Sequence, residues 1–226
     1  MLMHRGLVPI LFRPKTAVAV FRGLVVDAAD NSTYTNATFY MGPAHPERYA
    51  LVCSHVRRVA GTIDFSSGTM GGQTLTNAAN AINTADGFNR TNFLIAKVPA
   101  GDTGLTLSIT YSASGVRWGA AVYSLIGVPG VDFTTPYATL SSTASPPTGS
   151  IVVPPKGCLV AISGVNINTT VDWTGAIQED DDQQVEAFCT ISVARANFTG
   201  GGLVQTITAT PASSNSPTLV AASFGL

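Results

Sequence analysis

The stretch "GLTLSITY" (residues 104–111) alternates apolar residues with residues that carry a hydroxyl group. Leu105, Leu107, Ile109 and Tyr111 take every second position, and Thr or Ser stands between them. Because successive side chains of a β-strand point to opposite faces, this pattern predicts a strand with one buried and one exposed face. The stretch "GLVQTIT" (residues 202–208) repeats the pattern near the other end of the chain.

The similarity extends on both sides of the two heptapeptides. Upstream, "PERYALVCSHV" (residues 46–56) aligns with "PKGCLVAISGV" (residues 155–165), each a proline turn followed by an apolar run. Downstream, "GAAVYSL" follows the first heptapeptide and "LVAASFG" the second. The order of these features predicts two pseudo-repeat halves, residues 17–128 and residues 148–226.

Short apolar runs separated by clusters of Gly, Pro, Asn, Asp and Ser continue along most of the chain. This composition predicts an all-β protein, an antiparallel β-sandwich of jelly-roll or immunoglobulin-like type that spans residues 17–226. One sandwich is favoured over two in tandem, because each half lacks enough strands to close a core of its own well. Residues 129–149 would be a crossover loop in the first case and a linker in the second. Residues 77–89, rich in Asn, predict a long loop with at most one helical turn.

Charge and length exclude several classes of function. Charged residues make up 11% of the 226 residues and the net charge is −1, which argues against a nucleic-acid partner. The apolar run at residues 6–12 is too short to span a membrane and precedes no cleavage site of a signal peptide. Its prolines instead favour an extended N-terminal arm, residues 1–16, or an edge strand of the same domain.

Cys53, Cys158 and Cys189 form no CxxC pair and fit no zinc spacing. Buried thiols are one interpretation. A second hypothesis is that an unpaired cysteine crosslinks subunits.

No motif of a catalytic or cofactor site is present, so the sequence predicts a protein that is not an enzyme and binds no cofactor or metal. His55 with Asp64 is a weak acid–base candidate. A glycosidase would need a pair of carboxylates, for which Asp64 and Asp172 are available but unpaired in the sequence. The acidic run at residues 179–182 is expected to be a solvated loop, because it lacks the spacing of a calcium loop.

Two sets of residues are candidates for binding. The first is an assembly set of basic and apolar residues in the arm and at a strand end: Arg5, Phe12, Arg13, Lys15, Arg57 and Arg58. Together with Arg48, Arg57 and Arg58 are predicted to form one basic group. The second is the pair Tyr34 and Trp173, whose rings could stack on a glycan.

The phrase "RYALVCSHVRR", followed later by "VPAGDTG" and "VYSLIG", resembles small β-sandwich proteins encoded among the virion genes of tailed bacteriophages and prophages. The resemblance covers residues 27–127 well and implies a structural role on the virion, as capsid decoration, neck, collar or fibre. An arm that adds a strand to a neighbouring capsid, neck or tail protein is compatible with such a role. A homo-oligomer, dimer or trimer, would follow from it. The alternative is a carbohydrate- or receptor-binding module of a phage tail or surface protein.

Overall fold

The computed structural model describes residues 16–85, 88–99, 104–127, 131–178, 183–184, 189–200, 202–213 and 215–226. These residues form eighteen β-strands and no helix. Every strand pairing among them is antiparallel. The predicted class, an all-β antiparallel sandwich, is confirmed.

The first half of the chain forms a sandwich of two sheets. Its inner sheet has five strands in the spatial order β1 (Val18–Asp27), β9 (Arg117–Ile126), β3 (Arg48–Arg58), β7 (Phe88–Lys97) and β6 (Thr76–Asn83). Its outer sheet has four, in the order β2 (Thr33–Phe39), β8 (Leu105–Tyr111), β4 (Phe65–Met70) and β5 (Gln73–Thr74). Leu94, Leu107 and Trp118 belong to the apolar core between these two sheets.

The second half forms another sandwich. Its inner sheet follows the order β10 (Ala138–Ser142), β18 (Thr218–Phe224), β12 (Cys158–Val165), β16 (Thr190–Asn197) and β14 (Ile177–Gln178), with β15 (Gln183–Gln184) also paired to β16. Its outer sheet follows the order β11 (Thr148–Val153), β17 (Leu203–Pro211) and β13 (Val171–Thr174). Val153, Ala161 and Ile207 lie in the core between them.

The two halves share one order of strands. In the first half the pairs are nested, with β1 on β9, β2 on β8 and β3 on β7, and successive pairs alternate between the inner and the outer sheet. The pairs β10 on β18, β11 on β17 and β12 on β16 repeat this arrangement in the second half. The two similar heptapeptides therefore lie in β8 and β17, which occupy equivalent places. Descent of the halves from a duplicated segment stays a prediction.

A third core lies between the two inner sheets, and we call this contact the joint. Its largest side chains come from both halves: Tyr49, Phe93, Tyr123, Phe133 and Phe224. The Phe133 ring meets Tyr49 and Phe224 edge-on, with centroids 5.8 and 6.1 Å away. The protein is thus a stack of four sheets, in which the two inner sheets are covered on both faces.

Hydrogen bonds cross the margin of the joint at several places. Ala19 donates its backbone N–H to Asn197 Oδ1 (3.2 Å) and accepts from Arg195 Nη1 (2.9 Å). Elsewhere, Asn83 Nδ2 donates to the carbonyl oxygen of Pro217 (2.9 Å). These bonds satisfy polar groups that the contact would otherwise bury without partners.

Three expectations differ from this structure. The single two-layer sandwich is replaced by four layers, because each half supplies enough strands to enclose its own core. The segment predicted as a loop at residues 77–89 contains most of β6, whose Asn side chains lie at the sheet edge beside β7. Residues 129–149 include β10, so the second sandwich begins ten residues before residue 148.

Two glycines allow the inner sheets to approach closely. A Cβ atom on Gly119 would overlap the Ile191 side chain, and one on Gly164 would overlap the His55 ring, across the joint in each case. We expect Gly164→Ala to lower the free energy of unfolding by about 2 kcal/mol, because the buried His55 ring has to move. Chemical denaturation measures this change.

Gly200→Ala is the matched control, since nothing lies within 4 Å of the added methyl group. We expect it to change stability by less than about 0.5 kcal/mol. Equal stability of both variants would contradict the close contact at Gly164.

Candidate functional site

The two basic residues at the end of β3 do not form one patch. Arg57 follows His55 by two residues and so faces the joint, whereas Arg58 follows Val56, which lies in the core of the first sandwich. Arg58 donates to the carbonyl oxygen of Thr62, next to the strand. The period of two along a strand separates these neighbours in sequence.

Arg57 lies beside Arg117 instead. The two arginines are directly opposite in the register of β3 and β9, and with Asp30 they line a depression of about 330 Å³. Arg117 Nη1 donates to the carbonyl oxygen of Ala28 (3.1 Å) and lies 3.8 Å from Asp30 Oδ1. The sequence did not indicate this pair, because it depends on strand register.

Arg48 was expected to join the same basic group, and this is wrong. It lies at the opposite end of β3 and is fully buried. Its guanidinium group donates to the carbonyl oxygens of Val98 (2.9 Å), Pro43 (2.6 Å) and Gly42. Arg48 therefore stabilises the turn before β3, and its buried side chain is not accessible to a partner.

The remaining assembly residues, Arg5, Phe12, Arg13 and Lys15, lie outside the described residues, as does the acidic run at residues 179–182. Their predicted roles stay predictions. The chain enters the fold at Ala17, whose N–H donates to the carbonyl oxygen of Lys156 (3.0 Å). Ala17 itself belongs to the core of the joint.

The predicted glycan contact through Tyr34 is wrong. Tyr34 is 1% exposed, its ring stacks on Trp118 with centroids 4.9 Å apart, and burial raises the pKa of its hydroxyl group. Trp173 is half-buried against the core of the second sandwich, and its Nε1 donates to Ser192 Oγ (2.8 Å). These two residues lie on strands of the two outer sheets, at opposite ends of the stack, and do not form one platform.

All three cysteines are free, fully buried and part of the core of the joint. Burial raises the pKa of Cys158 and of Cys189 to about 12, so their thiolates are scarce at neutral pH. A crosslink between subunits would require the joint to open first. The buried-thiol interpretation fits this placement.

The carboxylates considered for a glycosidase lie apart. Asp64 pairs with Arg90 beside the outer sheet of the first sandwich, and Asp172 is on β13 in the outer sheet of the second. His55 lies in the joint and bonds to Thr91 Oγ1 (2.8 Å) rather than to Asp64. The candidate pairings from the sequence are therefore not brought together.

A depression of about 430 Å³ lies beside the start of β3. Lys97 Nζ donates to Glu47 Oε2 (3.1 Å) and lies 5.5 Å from the centroid of the Tyr49 ring. Asp132 accepts hydrogen bonds from the backbone and side chain of Thr134, which lower the pKa of its carboxyl group. The charged groups here bond to one another or to their own turn.

Metal ligands and membrane-spanning helices can be assessed for the part of the chain that the structure describes. Within it, no three His, Cys, Asp or Glu side chains are grouped closely enough to hold a metal ion. In the same ranges, none of the elements is a helix with the length and hydropathy needed to cross a membrane.

Comparison with known proteins gives no match: no protein-family model, no curated protein and no solved structure is similar to this chain.

Arg48 provides a test of how the start of β3 is held. We expect Arg48→Met to lower the free energy of unfolding by about 3 kcal/mol, because it leaves buried carbonyl oxygens without their donor. Arg58→Met, which removes an exposed hydrogen bond, should cost less than about 1 kcal/mol. Urea denaturation of both variants measures the difference, and equal losses would contradict the structural role of Arg48.

Proposed function

We propose that this chain is a non-enzymatic structural protein of a bacteriophage virion, a capsid decoration, neck, collar or fibre component that attaches through its N-terminal arm. The observation that supports the proposal most is the joint, which fuses two sandwiches into one four-layer body within a single chain. A body with three apolar cores is suited to bearing load and resisting proteases. Rigid surface proteins of particles need both properties.

We infer further that each half is a jelly roll. In an immunoglobulin-like sandwich the strands divide into ABED and CFG sheets. Here the first strand of each half pairs with the last, the second with the last but one, and the pairs alternate between sheets. This nested order is that of a hairpin rolled into a jelly roll, an architecture common in viral capsid proteins and in lectins. The fold alone does not decide between those two uses.

The resemblance to phage virion proteins falls on the elements that build the first sandwich. "RYALVCSHVRR" is β3, and "VYSLIG" is the end of β9 with the residue after it. The phrase "VPAGDTG" joins β7 to β8 and lies partly outside the described residues. These are framework strands, so the resemblance supports a shared architecture rather than a shared site.

The outer faces of the stack support a role among other proteins. On the first outer sheet Thr33 and Thr110 join hydroxyl groups across the strands (3.0 Å). On the second, Thr148 and Thr208 do the same (2.7 Å). The described strands of the first outer sheet carry no charged residue, and those of the second carry one, Asp172. Faces with so few charges can lie against a neighbour with little burial of charge.

Deletion of residues 1–16 tests the attachment. The first strand begins at Val18, so we expect the shortened chain to fold, with unchanged circular dichroism and Trp fluorescence. We expect its amount on purified virions, measured by immunoblot, to fall at least tenfold when it replaces the full chain. Undiminished incorporation would refute attachment by the arm.

A matched variant separates charge from apolar contact within the arm. Arg5, Arg13 and Lys15 changed together to Ala keep the length and the apolar run. Light scattering of the full chain and both variants shows whether a dimer or trimer forms and whether it needs the arm. A monomer in every case would refute the homo-oligomer.

The alternative proposal is a carbohydrate- or receptor-binding module. Among the described residues, two exposed aromatic side chains, Tyr40 (61%) and Tyr137 (53%), and the half-buried Trp173 offer rings to a sugar. We expect a glycan array to give a signal that Trp173→Ala reduces if this alternative is correct. A signal no higher than background for the unmodified chain would refute this alternative proposal.

A further inference from the structure

We propose that the joint is sensitive to acid: a proton on His55 parts the two sandwiches while each keeps its own core, and this exposes the cysteines between them. The inference concerns the joint alone and does not depend on the proposed function.

His55 is built into the contact between the inner sheets. It is fully buried on β3, with its side chain on the face that covers the second sandwich. Gly164 on β12 has no side chain, and the His55 ring fills the space that a Cβ atom would need. Gly119 is its neighbour in register on β9. The imidazole is thus packed from both sheets.

A chain of hydrogen bonds determines which nitrogen of His55 carries the proton. Thr218 donates its hydroxyl proton to the carbonyl oxygen of Gly164 (3.1 Å), so its oxygen accepts from Thr91 (2.7 Å). Thr91 has then used its own proton and accepts from His55 Nδ1 (2.8 Å). The neutral ring therefore carries its proton on Nδ1. Its Nε2 atom is buried without a hydrogen-bond partner.

Protonation would place a charge in a site where, among the described residues, no acidic group is found to act on the ring. The charge that acts on His55 is that of Arg57 on its own strand, and a second cation, Arg117 on β9, lies opposite Arg57. Two buried thiols belong to the same core: Cys53 lies two residues before His55 on β3, and the charge of Arg57 also acts on Cys189. The described residues that face it from β7, β12 and β18, at Thr91, Gly164 and Thr218, are uncharged. The added Nε2–H would have no acceptor in the closed joint.

The sign of the pH effect follows from the two states of the ring. Burial, and then the charge of Arg57, lower the pKa of His55 in the closed joint to about 3. In contact with water its pKa returns to about 6.5. The open state therefore binds the additional proton between these values. The joint is most stable above pH 6.5. As the pH falls from 6.5 toward 3, the equilibrium constant for opening of the joint rises about tenfold per pH unit.

The joint can open without loss of the rest of the fold. The first sandwich encloses its own core, which includes Trp118, and the second encloses another. Cys53, Cys158 and Cys189 all belong to the core of the joint instead. Their reactivity reports opening of the joint, and fluorescence of Trp118 reports whether the first sandwich stays folded.

The experiment uses the full chain and a pyridyl disulfide, a reagent that reacts with thiols in acid. The labelling rate at each pH from 7 to 4 is divided by the rate for glutathione at the same pH. We expect this ratio to rise about tenfold per pH unit below pH 6, with Trp fluorescence unchanged. A ratio that stays flat, or one that rises only together with a change in Trp fluorescence, would overturn the proposal.

His55→Gln should abolish the pH dependence, because the amide does not titrate. His45→Gln is the control: His45 lies in the turn before β3, outside the joint, and this variant should keep the full dependence. A pH slope retained in His55→Gln would show that other groups cause the opening.

If His55→Gln fails to fold, nitrogen NMR of the imidazole in the unmodified chain decides. A neutral ring protonated on Nδ1 at pH 5 supports the proposal. A charged His55 ring in the folded protein at that pH overturns it.

Discussion

Coverage of both faces of the two inner sheets is the constraint that sets the arrangement of the four layers. Strands β3, β12 and β18 are buried along almost their whole length, whereas β8 and β17 are buried only at alternate positions. Apolar area removed from water on both faces of a strand contributes about twice what one face contributes. Each inner sheet is therefore covered by two partners, and the joint is the second of them.

This difference was present in the sequence. The continuous apolar runs of "ALVCSHV" and "CLVAISGV" are typical of strands covered on both faces, and the alternation in "LTLSITY" is typical of strands covered on one. The interpretation of both patterns as strands buried on one face predicts two layers rather than four. The strands, the turns and the similarity of the halves were predictable. The existence of strand β6 could not be predicted. Its Asn and Ala residues have low strand propensity, and pairing with β7 overrides that propensity.

The candidate sites were less predictable, because they depend on register and on facing direction. Arg57 and Arg58 are adjacent in sequence and point apart, whereas Arg57 and Arg117 are distant in sequence and lie side by side. Tyr34 stands in a segment full of turn residues, which favours an exposed ring, yet its strand turns the ring toward Trp118. For His55 the sequence indicated only a weak acid–base role with Asp64, whereas the structure buries it in the joint. The sequence could not indicate Gly164, which comes from the other half of the chain.

The nested pairing has a consequence for synthesis of the chain. Val18 pairs with Ile126, so the first sandwich closes only after its last strand has left the ribosome. The same holds for Ala138 and Ser223 in the second. Until the second half has folded, the inner sheet of the first half exposes the apolar face that later forms the joint. Pairings of this sequence separation form slowly and favour misassembly while they are incomplete. Chaperone demand should therefore be greatest when about half of the chain has been translated.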